Sequence, residues 1–360
     1  MTYLDANATE PARPEAIAAA VAAMRLGGNP SAIHAAGRAA RRLLEGAREA
    51  LAARFGALPG GVVFTSGGTE ANALAVRGLA GGRRVIIGAT EHDAVRAAAP
   101  RAEVLPADMR GLPDLDRLAV LLREGPALVC LMLANNETGT ILPIAEAAVL
   151  CRAAGALLHV DAVQAAGRIP VDLAALGADS LAISGHKLGG IPGAGALLLA
   201  PGVEPAAQMI GGGQERGRRG GTHALPAIAA MAAAAGVIDL GSGLAPLRDA
   251  IEAHAVAAGA VPLAAGAARL PNTASLALPG VPAATQVIAL DLAGVQVSAG
   301  AACSSGKVGA SHVLAAMGLG ALAGQAIRVS LPWNATAADV AAFAGAYAAM
   351  AARCREGRAA

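Results

Sequence analysis

The chain has 360 residues, 55% hydrophobic but only 2% aromatic, with a net charge of +2. Its length exceeds the roughly 250–300 residues at which a single core stops growing, so two domains are expected. The charge balance leaves no footprint for nucleic acid, and no uninterrupted apolar run reaches the ~18 residues of a membrane span.

The first residues, Met1 to Asp5, lack a basic stretch followed by an apolar one, which leads us to expect a cytoplasmic protein. Four cysteines, none in a CxxC or CxxH spacing, read as reduced thiols, and no metal site is expected. Pro14 can open a helix over 15–25, and the turn Gly27-Gly28-Asn29-Pro30-Ser31 separates it from a long helix over 35–55. His34 reads as a cap or packing residue. A strand over 62–66 then meets Gly67-Gly68-Thr69-Glu70 and a helix over 71–79. Strand, glycine turn and helix N-terminus together make an anion site, since free N–H groups and the helix dipole face the turn. Taken alone, such a turn caps a helix as often as it holds an anion.

Apolar runs, each the length of a parallel strand buried on both faces, then alternate with helical stretches. They deliver His92, Asn136, Asp161 and Lys187 at their C-terminal ends, where open α/β sheets bind ligands. Lysine is rare here: Lys187 and Lys307 are the only two, against 26 arginines. A lysine amine can lose its proton and attack a carbonyl, which arginine cannot. An acid and a lysine converging at adjacent strand ends are what a pyridoxal phosphate enzyme needs: one holds the ring nitrogen, the other forms the Schiff base.

A further strand over 194–199 leads to the loop 211–222, rich in Arg and Gly. Without aromatics or net basic charge that loop is a poor RNA-binding footprint and reads as facing a phosphate or an interface. A buried helix is expected over 224–240. A new unit starts near 241–243, with helices over 247–258 and 284–292, short strands near 273–278 and a strand over 295–298. The loop that follows departs from a Walker A loop at Ala301 and Val308. It carries Cys303, the one cysteine in a Gly/Ser/Ala setting and so the best placed to react, with Lys307 nearby to favour its thiolate. Arg328 falls in the middle of a strand. Alone it reads as snorkelling to a sheet edge, the other reading being a carboxylate clamp.

Taken together, these residues resemble the cysteine desulfurases of the NifS/IscS type, in the class V aminotransferase group. The resemblance runs through Tyr3-Leu4-Asp5, Gly28-Asn29-Pro30-Ser31, 64–70, Thr90-Glu91-His92, Asn135-Asn136-Glu137, 159–164, Ser184-Gly185-His186-Lys187, 211–222, Ala302-Cys303-Ser304-Ser305 and Ile327-Arg328. It implies an α/β, fold type I pyridoxal-phosphate-dependent transferase. The large domain, 14–243, would hold a mostly parallel seven-stranded sheet between helices. A smaller α+β domain, 1–13 with 244–360, would carry the cysteine loop. Lys187 would hold pyridoxal 5'-phosphate as a Schiff base and shuttle the Cα proton, and His92 would stack on the ring and act in proton transfer. Asp161 would bind the ring nitrogen, with Asn136 and Gln164 near the ring oxygen. Gly68, Thr69, Ser184 and His186 would hold the phosphate, joined by Thr222 from the other subunit of a homodimer. Asn29 and Arg328 would bind the carboxylate of L-cysteine, and Cys303 would take its sulfur as a persulfide for a sulfur acceptor or iron–sulfur scaffold protein.

Glu10 departs from the threonine usual in the family, and Ala301 from a frequent serine. The short stretch after Cys303 suggests a specialised or NifS-like member. The alternative is a related pyridoxal-phosphate lyase or aminotransferase acting on selenocysteine or another amino acid. A non-catalytic scaffold would need a damaged cofactor site, and none is evident in the sequence.

Overall fold

The computed structural model describes residues 1–241, 243–300 and 310–359. Strand β1 (Thr2–Tyr3) precedes helices α1 (Pro14–Leu26) and α2 (Ala35–Arg54). Pro14 opens α1, its fixed φ suiting a first turn. His34 caps α2, its Nδ1 accepting the Gly37 N–H at 3.3 Å. After β2 (Val62–Thr65), helix α3 (Gly68–Ala80) starts three residues before the expected 71. Glu70 accounts for the difference: its carboxylate accepts both the N–H and the hydroxyl of Ser66, at 2.8 and 2.6 Å, closing the first turn over the glycines.

Strands β3 (Arg84–Gly88), β4 (Glu103–Leu105), β5 (Ala127–Met132), β6 (Leu157–Asp161), β7 (Ser180–Ser184) and β8 (Gly195–Leu199) complete a seven-stranded sheet. Its order is β2-β8-β7-β6-β5-β3-β4. Strands β4, β3, β5, β6 and β7 pair in parallel, whereas β8 is antiparallel to both its neighbours. The runs at β2 and β8 therefore do not pair as parallel strands. The link from Ser184 to Gly195 is too short for the crossover a parallel strand needs, so the chain turns straight back. Pleat alternation buries both faces: Val129 and Leu131 enter a core with α2 and the helix Leu225–Gly236, while Leu128 and Cys130 meet Ala71, Leu74 and Ala75 of α3.

A second sheet, of order β12-β13-β10-β9, is built from β9 (Val261–Pro262), β10 (Thr273–Ala277), β12 (Ser298–Ala299) and β13 (Ala326–Ser330). The single strand expected over 295–298 is instead divided at Val297. Strand β11 (Val295–Gln296) runs parallel to β1, and β12 joins β13. The helices Leu244–Ala257, Ala283–Leu292 and Ala337–Ala359 contribute to a separate core in which the Phe343 and Tyr347 rings stack 5.2 Å apart. Leu4 enters this core and Asp5 bridges to Ser330, so the N-terminal residues pack with this second unit before α1 packs on the first. Among the described residues, no helix is long and apolar enough to cross a membrane.

Candidate active site

The C-terminal ends of β5, β6 and β7 open into a cavity of about 260 Å³. Ten of the residues singled out above line it: Gly68, Thr69, His92, Asn136, Asp161, Gln164, Ser184, His186, Lys187 and Arg328. Larger cavities occur among the described residues: those of about 420 and 450 Å³ have no lysine in their lining, while one of about 280 Å³ reaches Lys187 from the side of Glu10, Arg168 and Trp333 but includes neither Asp161 nor a histidine. Asn29 and Thr222 are exposed and do not line the 260 Å³ cavity; the Asn29 side chain accepts the Ser31 N–H at 2.9 Å. Cys303 and Lys307 lie outside the described residues.

Asp161 ends β6 with its carboxylate buried. Oδ1 accepts the Val163 N–H at 3.0 Å and Oδ2 the Asn72 amide at 2.7 Å. Burial pushes its pKa up, against the pull of those two donors and of His92 and Lys187. Lys187 follows β7 by three residues, and its Nζ donates to the backbone oxygens of Asn7 and, at 2.8 Å, Ala8. His186 pairs through Nδ1 with Thr9 Oγ1 at 3.1 Å, and burial, aided by Lys187, lowers its pKa to about 4. His92 caps the short helix Asp93–Arg96, its Nδ1 accepting the Ala94 N–H at 3.0 Å. A neutral ring held that way carries its proton on Nε2.

Arg328 does not snorkel. Strand β13 lies inside the second sheet, so Arg328 is only 3% exposed, and its guanidinium bonds Asp5 Oδ1 at 2.7 Å and the Asn136 carbonyl at 3.0 Å. Two residues that sequence reasoning missed tie the site together. Asn7 donates its amide to the Asn136 carbonyl and to Thr273 Oγ1, while its own carbonyl accepts Gln164 Nε2. Asn72 is the other, and its only signal was a polar residue inside the apolar stripe of α3. Nothing near Asn7 in sequence marks it, since its partners lie 129 to 323 positions away.

The walls fit a phosphorylated pyridine aldehyde. Ser184 Oγ and Gln164 Oε1 are buried without a hydrogen-bond partner among the described residues, and both residues line the cavity. A Cβ on Gly68 would lie 2.7 Å from Val163, so only bare backbone fits at the start of α3, where N–H groups face an anion.

The model of the family described as aminotransferase class-V matches residues 2–343. The chain belongs to that family. An "IscS-like cysteine desulfurase" of Mycobacterium tuberculosis is 39% identical, across 94% of this chain and 93% of its own length. A "cysteine desulfurase" of Cereibacter sphaeroides is 40% identical, across 94% of this chain and 92% of its own. The solved structure of a NifS-like protein from Rickettsia africae superposes with a TM-score of 0.89 at 33% identity, covering 97% of this chain and 99% of that one. This class-V chain thus has the mostly parallel sheet and flanking helices of its NifS-like structural relatives.

Proposed function

We propose that this class-V enzyme is a cysteine desulfurase that binds pyridoxal 5'-phosphate and converts L-cysteine to L-alanine. The observation that carries the reading is a cavity that gathers a lysine amine, a buried carboxylate and a histidine at parallel strand ends. When bound, the cofactor supplies an electron sink for bonds at the substrate's Cα and Cβ.

In this reading the Lys187 amine anchors the cofactor covalently and moves the Cα proton. Asp161 holds the ring nitrogen, His92 covers a ring face, and Asn136 and Gln164 meet the ring oxygen. The first turn of α3 at Gly68 and Thr69, with Ser184 and His186, receives the phosphate; Thr222 of a second copy completes it in a homodimer. Arg328 and Asn29 fix the substrate carboxylate. The Cys303 thiolate takes the sulfur: the substrate Cβ–S bond breaks, an S–S bond forms on Cys303, and the Cβ gains a proton as alanine leaves. The persulfide then passes to an acceptor or iron–sulfur scaffold protein. The two separate cores support a division into domains at 14–243 and at 1–13 with 244–360.

The test is the yield of alanine and sulfide from L-cysteine with a reducing thiol present. Equal amounts are expected. A yellow protein that releases neither would move the substrate to another amino acid.

A further inference from the structure

Asp161 is the end of a relay of side chains that the reading above leaves without a role. Asn72 Nδ2 lies 2.7 Å from Asp161 Oδ2, Asn72 Oδ1 lies 2.9 Å from His159 Nε2, and His159 Nδ1 lies 2.9 Å from Ser180 Oγ. All four residues are buried, and His159 is fully enclosed. Their placement follows from the fold. His159 and Asp161 are two apart on β6 and so share a face, Ser180 is the register partner of His159 on β7, and Asn72 lies four residues after Gly68 on α3.

We propose that Asn72, oriented by His159 and Ser180, is the positioning residue that holds the Asp161 carboxylate aimed into the cavity, and so sets how tightly the cofactor ring is held. This rests on the cofactor reading above.

The direction of each hydrogen bond is fixed by chemistry. A carboxylate only accepts, so Asn72 must turn its NH₂ toward Asp161 and its carbonyl toward His159. His159 Nε2 must then carry a proton. Burial lowers the His159 pKa to about 3, so the ring is neutral with one N–H, and Nδ1 is left to accept the Ser180 hydroxyl. The opposite tautomer would present a lone pair to Asn72, invite its amide to flip, and set an amide oxygen against the carboxylate. The histidine therefore works as a lock on the amide. Without the Asn72 donor, the buried carboxylate keeps only the Val163 N–H among its hydrogen bonds from the described residues. Burial would then favour its neutral form, which cannot offer a charge to a protonated ring nitrogen. Helix α3 consequently joins two tasks: its first turn faces the phosphate end of the cavity while its second braces the acid at the other end.

The experiment compares retention of pyridoxal 5'-phosphate by the wild-type holoenzyme, Asn72→Ala, His159→Leu and His159→Gln, followed by dialysis and by cofactor absorbance across pH. Losing one hydrogen bond to a charged group predicts roughly 10- to 100-fold weaker retention in Asn72→Ala and His159→Leu. Gln can place an amide N–H where Nε2 stood, so His159→Gln is expected within about threefold of wild type. The absorbance titration should shift in the first two variants and not in the third. Folded Asn72→Ala that retains cofactor as the wild type does would overturn the proposal. So would equal losses in His159→Leu and His159→Gln, a comparison that decides the matter even where Asn72→Ala fails to fold. A folded wild-type protein that takes up no cofactor would overturn the cofactor reading itself, and the relay's role with it; a yellow wild type with unaffected variants would sink the relay alone.

Discussion

Arg328 Nη2 lies 2.7 Å from Asp5 Oδ1, so the arginine of the inner strand β13 is clamped by the N-terminal segment rather than by its own sheet. Its Nη1 is taken by the Asn136 carbonyl at 3.0 Å, while Nε is buried without a partner among the described residues. A planar fork held on two sides can present a fixed donor edge to a carboxylate. Arg328→Lys keeps the charge and loses the fork. It should raise KM for L-cysteine and lower kcat/KM by about 10- to 100-fold, with the cofactor absorbance unchanged. A lysine variant with the wild-type KM would remove Arg328 from substrate binding.

Glu10, where the family usually has threonine, pairs with Arg168 at 3.2 Å and accepts the Trp333 N–H at 2.8 Å, both its oxygens being engaged. Both side chains are buried, so restoring the threonine strands a guanidinium. Glu10→Thr is expected to cost about 3–5 kcal/mol in urea unfolding. Adding Arg168→Leu should recover part of that loss; no recovery would mean that the Trp333 contact, not the ion pair, is what Glu10 provides.

His159 predicts a pH effect whose sign is fixed. Its pKa falls from 6.5 to about 3 in the folded chain because burial disfavours the charged ring. Below pH 6.5 the unfolded chain binds a proton that the folded chain refuses, so this stability contribution is present above that pH and is lost as pH falls toward 3. Relative to His159→Gln, the wild type should lose up to about 1.4 kcal/mol per pH unit in that window. Parallel stability curves from pH 7 to 4 would show that the ring is not held neutral.

Gly300 approaches Glu137 so closely that a Cβ would lie 2.4 Å from its carboxylate, and Glu137 also accepts the Ser311 hydroxyl at 2.5 Å. One carboxyl thus touches the described residues on both sides of the segment that contains Cys303. Gly300→Ala should cost about 1–3 kcal/mol through crowding and lower sulfide release while leaving the yellow cofactor in place. Unchanged turnover in this variant would show that the contact is incidental.

Cys303→Ala is expected to remain yellow and to form no persulfide, whereas Lys187→Ala should lose the covalently held cofactor. Sulfide release at the wild-type rate by Cys303→Ala would dismiss it as the sulfur acceptor.

Much of this arrangement is legible before any coordinates. Short apolar runs ending in polar residues brought His92, Asn136, Asp161 and Lys187 to one cavity, because strand ends are where a parallel sheet exposes them. What escapes reading depends on partners far away in the chain. The reversal of β8 follows from a short link, and the split at Val297 from two strands answering to different sheets. Taken alone, Arg328 reads as snorkelling, because a strand's place inside its sheet is a property of pairing, not of local pattern; the family resemblance gives the carboxylate clamp instead. Asn7 and Asn72 look like any asparagine until their hydrogen bonds are drawn.

The pairing of Thr2 with Val295 and of Asp5 with Arg328 has a consequence for the order of folding. The segment that carries the Asn7 and Ala8 carbonyls, which receive Lys187, is held in place by partners as far as 323 positions along the chain. Contacts of such long separation form slowly. The large sheet can form while Lys187 still lacks its seat. The seat of the lysine amine is thus complete only once both sheets have formed.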